Sequence, residues 1–177
     1  MLPGARRGRG ATFNPAGRFE RASREPFDDG WGSLEELAGA PALATEVHPD
    51  KAKSVLTTNE SPDIGFDRSL NPYRGCEHGC IYCYARPSHA YLGFSSGLDF
   101  ETKIFAKHDA AELLRAELAR PGYRPEVLAL GSNTDPYQPV ERRLGITRGV
   151  LAVLLATRHP FAITTKGAGI LRDLDLL

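Results

Sequence analysis

Asn71-Pro-Tyr-Arg-Gly-Cys-Glu-His-Gly-Cys-Ile-Tyr-Cys-Tyr-Ala-Arg86 holds all three cysteines of the chain, Cys76, Cys80 and Cys83, in the spacing C-x3-C-x2-C. An odd, clustered set cannot be a disulfide framework, so the thiols point to metal or redox chemistry. Three thiolates within eight residues can wrap one centre, and Gly75 and Gly79 let the loop bend tightly around it. Thiolates are the usual ligands of iron–sulfur clusters. A structural zinc site wants four ligands in a closed shell, and His78, inside the loop, is the candidate fourth. A cubane held by three cysteines instead keeps one iron open. Four close ligands strain a single tetrahedral zinc, which favours the cluster.

Outward from this loop, residues 66–73 read as a strand ended by Pro72, and a short helix disturbed by Pro87 follows the cysteines. Residues 94–99 read as a loop and 103–106 as a strand. A helix opens at Asp109, where Glu112 completes a capping box and Ala111, Leu114 and Leu118 share a face; Pro121-Gly122 ends it. Residues 126–130 form a strand that runs into the turn formers Gly131-Ser132-Asn133-Thr134-Asp135-Pro136. A second helix starts near Thr147 with Val150, Leu151, Leu154 and Leu155 on one side and stops at His159-Pro160. Residues 161–165 are the next strand, Lys166-Gly167 follows it, and residues 170–177 open another helix. Alternation of this kind predicts an α/β domain with parallel strands and crossover helices.

Upstream the pattern is weaker. Six of the first 24 residues are arginine (Arg6, Arg7, Arg9, Arg18, Arg21 and Arg24) against one acid, Glu20. Such an arm suits nucleic acid, a membrane surface or a solvated tail, and the last is expected: residues 1–65 form a basic, largely irregular, disordered N-terminal extension. Within it, 33–38 suit one short helix and 54–58 a strand. Residues 66–177 form the core. The apolar final residues, with no closing strand, lead us to expect an N-terminal fragment of a longer domain.

The whole chain has 22 Lys plus Arg and 22 Asp plus Glu in 177 residues, so no global field draws it to a polyanion. No apolar run approaches the ~18 residues of a spanning helix, and the first residues lack a secretory apolar region. A cytoplasmic location away from the membrane is expected.

The motif with an aromatic before its third cysteine resembles the signature of the radical S-adenosylmethionine (radical SAM) superfamily. CEHGCIYCYAR, with GSNTDPYQP and TTKG downstream, resembles the spore photoproduct lyase-like, or DNA repair photolyase-like, branch. RGRGATFNPAGRFE and FDRSLNPYRGC look like one bacterial subfamily of that branch, of uncharacterised substrate. The resemblance implies the first half of a (β/α)6 partial barrel. It implies a [4Fe–4S] cluster on Cys76, Cys80 and Cys83 and reductive cleavage of S-adenosyl-L-methionine to a 5′-deoxyadenosyl radical that abstracts hydrogen. It further implies a flavodoxin or ferredoxin-type electron donor, and damaged DNA as substrate. Tyr82 matches the position against the adenine. Gly131, Ser132, Asn133, Thr134 and Asp135 match the glycine-containing loop near the methionyl amino group, although the usual Gly-Gly-Glu is absent. Lys166 is placed to meet the methionyl carboxylate. The additional cysteine that spore photoproduct lyases use as hydrogen donor is not among these residues. Two other readings stay open: a zinc-stabilised nucleic-acid-binding module without catalysis, and an iron–sulfur electron carrier.

Overall fold

The computed structural model describes residues 9–20 and 44–177. The expected helix at 33–38 and most of the arginines of the basic arm lie outside the described residues. The chain is mixed α/β and divides into two compact units.

One unit combines Gly75–Ile104 with the described residues up to Val47. After the cysteine loop comes a 3-10 helix, Arg86–Leu92, with Pro87 in its first turn, where a missing N–H costs nothing. It ends on Gly93 in the left-handed conformation. Helix α1, Leu98–Thr102, falls where a loop extending to residue 99 was expected. Phe100 is fully buried and packs with Cys76, Ala85 and Cys83. His89 is also fully buried, with its ring between those of Phe94 and Phe100, and burial pushes its pKa down.

The second unit comprises His48–Arg74 and Phe105–Leu177. Its sheet has strand order β2-β3-β6-β7, formed by Leu56–Thr58, Arg68–Leu70, Leu128–Leu130 and Phe161–Ile163. β6 is parallel to both β3 and β7, as crossover connections require. β2 is antiparallel to β3, a departure from the expected parallel pattern. A short connection from residue 58 to residue 68 can only reverse the chain, because a parallel return needs a longer crossover. The expected strand at 66–73 is split by Asn71-Pro72, and its second piece, β4 (Tyr73–Arg74), belongs to another sheet. There it pairs antiparallel with β5 (Lys103–Ala106), with β1 (Glu46–Pro49) on the other side of β5.

Two helices cover the four-stranded sheet. Helix α2 spans Ala110–Leu118 and α4 spans Ile146–Thr157, preceded by the single turn α3, Glu141–Leu144. Most of the apolar stripes read from the sequence are the core: Leu114, Val150, Leu151 and Leu154 are fully buried with Leu70 and Leu128, whereas Ala111 and Leu118 are half-buried and Leu155, expected on the buried face, is exposed. Gly149 faces the Ala111 side chain, so α2 and α4 approach closely. The Asp109–Glu112 capping box is not formed; Asp109 occupies the N-cap without a side-chain bond. Glu117 instead turns inward, accepting Val55 N–H at 2.7 Å and Ser54 Oγ–H at 3.1 Å.

Candidate functional site

The cysteine loop begins and turns on two glycines with positive φ, Gly75 at 77° and Gly79 at 60°. Side chains at these positions would also collide: a Cβ on Gly75 would lie 2.9 Å from Lys103 O, and one on Gly79 2.6 Å from Glu101 Oε2. Between them, Cys76 N–H donates to Phe100 O at 2.8 Å and anchors the loop to α1. A turn closed by Cys83 N–H to Cys80 O carries the second and third thiols. All three cysteines are free thiols; Cys76 is buried, Cys80 and Cys83 half-buried. Cys76 and Cys83 pack in the same small cluster. Among the described residues, however, no three His, Cys, Asp or Glu side chains are gathered as a metal-holding group. The three thiols match a thiolate-held centre in chemical kind and in spacing along the chain, but their side chains are not gathered around one point. His78, the candidate zinc ligand, is half-buried on the same loop.

Tyr82 is 82% exposed, and Ile81 and Tyr84 flank the third cysteine almost as openly. An aromatic face that is not used for packing is available to stack on a planar ligand.

A pair that no motif in the chain announced holds this loop from beneath. Glu101 is fully buried on α1, and Arg86 Nη2 donates to its carboxylate. Arg86 also donates from Nε to Cys80 O at 3.0 Å and from Nη1 to Ser96 O and Gly97 O. Residues 9–15 lie against the same carboxylate. Gly10 N–H and Ala11 N–H donate to Glu101 at 2.9 and 2.7 Å. Over residues 9–15 the expectation of disorder is thus corrected, because backbone donors that satisfy a buried charge give this stretch a defined place, while the irregular backbone expected over residues 9–20 is observed.

In the other unit, the turn formers after β6 fold into a braced loop. Gly131 has φ 83°, and a Cβ there would sit 2.2 Å from Thr164 O, so the loop passes hard against the end of β7. Asn71 does most of the bracing. Its Oδ1 accepts Asn133 N–H at 2.9 Å and Thr134 N–H at 3.2 Å, while its Nδ2 donates to Ser132 Oγ at 3.1 Å. Its own carbonyl accepts Lys107 Nζ at 2.6 Å, and burial pulls the Lys107 pKa down. Thr134 is buried, with Oγ1 donating to Tyr73 O.

Asp135 joins the two strand ends. Its Oδ1 accepts Tyr137 N–H at 2.8 Å and Thr165 Oγ1–H at 2.6 Å; its Oδ2 accepts Lys166 N–H at 2.9 Å. The carboxylate thus carries three bonds within the protein, while Lys166 is exposed and fixed through its backbone. The structure therefore brings Gly131, Ser132, Asn133, Thr134, Asp135 and Lys166 together at the C-terminal ends of β6 and β7. Asn71, which sequence reasoning passed over, is signalled only by its place before a proline in a strand.

Beneath this loop runs an ionic network. Tyr137 OH donates to Asp173 Oδ2 at 3.0 Å, and Arg148 and Arg172 contact the same carboxylate at 2.8 Å. Hydrogen bonds from Arg172 and Arg148 hold the Asp173 pKa down to about 2, against desolvation. Burial and Asp173 together push the Tyr137 hydroxyl up. Tyr73 is fully buried and donates to Glu141, which also accepts Thr147 N–H and Arg172. Burial first, then the Glu141 charge, raises the Tyr73 pKa far above the usual phenol value.

No protein-family model matches the chain, and no solved structure matches it significantly. An uncharacterized protein of Mycobacterium tuberculosis and one of Mycobacterium bovis are each 45% identical over 162 residues, covering 86% of this chain and 47% of theirs. An uncharacterized protein of Methanocaldococcus jannaschii is 27% identical over 131 residues, covering 74% of this chain and 46% of its own. The chain spans about half the length of the curated relatives it matches.

Proposed function

We propose that this chain holds the cluster-binding part of a radical SAM enzyme of the spore photoproduct lyase-like branch. The observation that carries the reading is the set of three free cysteines in C-x3-C-x2-C, on one loop turned by Gly75 and Gly79. Cys76, Cys80 and Cys83 would hold a [4Fe–4S] cluster, whose chemistry is one-electron reduction of S-adenosyl-L-methionine to methionine and a hydrogen-abstracting 5′-deoxyadenosyl radical.

The protein's own residues bind and orient. The exposed ring of Tyr82 supports a role against the adenine. For the methionyl end, the resemblance points to Ser132, Asn133 and Lys166, while Thr134, buried with its hydroxyl donated to Tyr73 O, braces the loop. Asp135 acts mainly as the brace, because its carboxylate already carries three internal bonds. The parallel run β3-β6-β7, with helices between, supports the opening units of a (β/α)6 partial barrel. Strand C-terminal ends are where such folds place their sites.

No helix among the described residues is long and apolar enough to cross a membrane. Three free thiols suit the reducing cytoplasm, where a flavodoxin or ferredoxin-type protein would supply the electron. Damaged DNA is the substrate class the resemblance suggests for the whole protein.

The test is anaerobic reconstitution with iron and sulfide, reduction, and EPR with and without S-adenosyl-L-methionine. A reduced-cluster signal that changes on addition is the expected result. Zinc at one per chain, with no iron or sulfide taken up, would instead favour a zinc-stabilised nucleic-acid-binding module. A cluster indifferent to S-adenosyl-L-methionine would favour an electron carrier.

A further inference from the structure

We infer that residues 9–15 are a strap that holds the cysteine loop closed, with the buried carboxylate of Glu101 as its anchor. Three sets of contacts stitch the strap down. At its start, Arg9 Nη2 donates to Thr45 Oγ1 at 3.0 Å, and Thr45 Oγ1 donates to Glu77 Oε1 at 2.6 Å, within the cysteine loop. At its centre, the backbone N–H groups of Gly10 and Ala11 fork onto Glu101. At its end, Leu98 N–H donates to Phe13 O, Asn14 exchanges two bonds with Asp99, and Ser95 Oγ donates to Pro15 O.

The centre is where the strap bears on the loop. A Cβ added to Gly10 would lie 1.8 Å from Gly79 O, so only glycine lets the strap pass between Glu101 and the loop. Glu101 receives the strap from one side and Arg86 from another, and Arg86 in turn holds Cys80 O. The carboxylate is fully buried, so its charge is stabilised by these donors together. Losing the strap would strip two charge-assisted bonds from a group that water cannot readily reach. The loop carrying Cys76 and Cys80 would then open more often. This role concerns the loop with or without a metal, so it does not depend on the radical SAM reading.

The experiment is site-resolved alkylation of the metal-free full chain by iodoacetamide, followed by mass spectrometry of Cys76, Cys80 and Cys83. Three variants are compared with the parent: Gly10→Ala, Glu101→Gln and the control Gly65→Ala, which has open space around its added methyl group. Gly10→Ala should raise the alkylation rates of Cys76 and Cys80 about tenfold, and Glu101→Gln at least as much. Gly65→Ala should leave them unchanged. Unchanged rates in Gly10→Ala overturn the proposal. A rise in Glu101→Gln alone also overturns it, because the buried carboxylate would then hold the loop without the strap. If Glu101→Gln does not fold, Gly10→Ala decides, since residue 10 is exposed and belongs to no helix or strand.

Discussion

Replacing Gly131 by alanine tests whether the loop after β6 is wedged against β7. Two costs arise and can be separated. The first is conformational: φ is 83°, and an alanine in the left-handed region costs about 1 kcal/mol. The second is steric. The new methyl carbon would sit 2.2 Å from Thr164 O and 2.9 Å from Pro136 Cδ, whereas ordinary contact begins near 3.4 Å. The loop and the strand end must separate by more than 1 Å, since the nearest neighbour is backbone and the next is the proline ring, neither of which can swing aside. That movement breaks the bonds that bridge the two: Thr164 N–H to Leu130 O, and Thr165 Oγ1 and Lys166 N–H to Asp135. At roughly 1 kcal/mol each, their loss brings the total to about 3–4 kcal/mol. A domain stable by about 5–15 kcal/mol stays folded but is clearly weakened. Urea unfolding followed by circular dichroism reads the difference directly. Gly122→Ala is the matched control, because Gly122 has φ 79° with nothing near its added carbon, and should cost only about 1 kcal/mol. Equal losses in the two variants would mean that the wedge does not exist, and the close packing of loop on strand would be refuted.

Two other perturbations probe the supports of the same loop. Asp173 has its pKa lowered from 3.8 to about 2, so its ionisation contributes stability that is present above pH 4 and lost as the pH falls toward 2. The contribution is roughly 2 kcal/mol, and urea titrations between pH 7 and 2 should show the parent losing that much relative to Asp173→Asn; parallel curves would contradict it. Asn71→Ala removes the three bonds to residues 132–134. It should raise amide hydrogen exchange at Asn133 and Thr134 by about tenfold or more while leaving exchange in α2 unchanged.

What could be read in advance followed from periodicity and turn chemistry. The stripes Leu114 and Val150-Leu151-Leu154 located α2 and α4 within a few residues, because an apolar face at helical spacing has nowhere to go but the core. Strands β6 and β7 were visible as short apolar runs between breakers. Three elements were not: β1, with its half-exposed Glu-Val-His-Pro; the five-residue α1; and the single turn α3. Each is too short for its pattern to differ from that of a loop, and forms because its neighbours hold it. The strand expected at 66–73 was divided for a similar reason. Pro72 interrupts the ladder, and the two flanking pieces then pair with different sheets.

The candidate site divides along the same line. Local chemistry alone marked the cysteines, their bending glycines and the turn after β6, since thiol spacing and backbone freedom are properties of neighbours in sequence. Which groups brace those loops was settled only by the tertiary structure. Asn71 lies 62 residues before the Asn133 amide it accepts, and Glu101 lies 91 residues beyond the Gly10 amide that caps it. No window along the chain contains such pairs. They arise because a buried carboxylate and a tightly turned backbone must find partners wherever folding brings donors within reach.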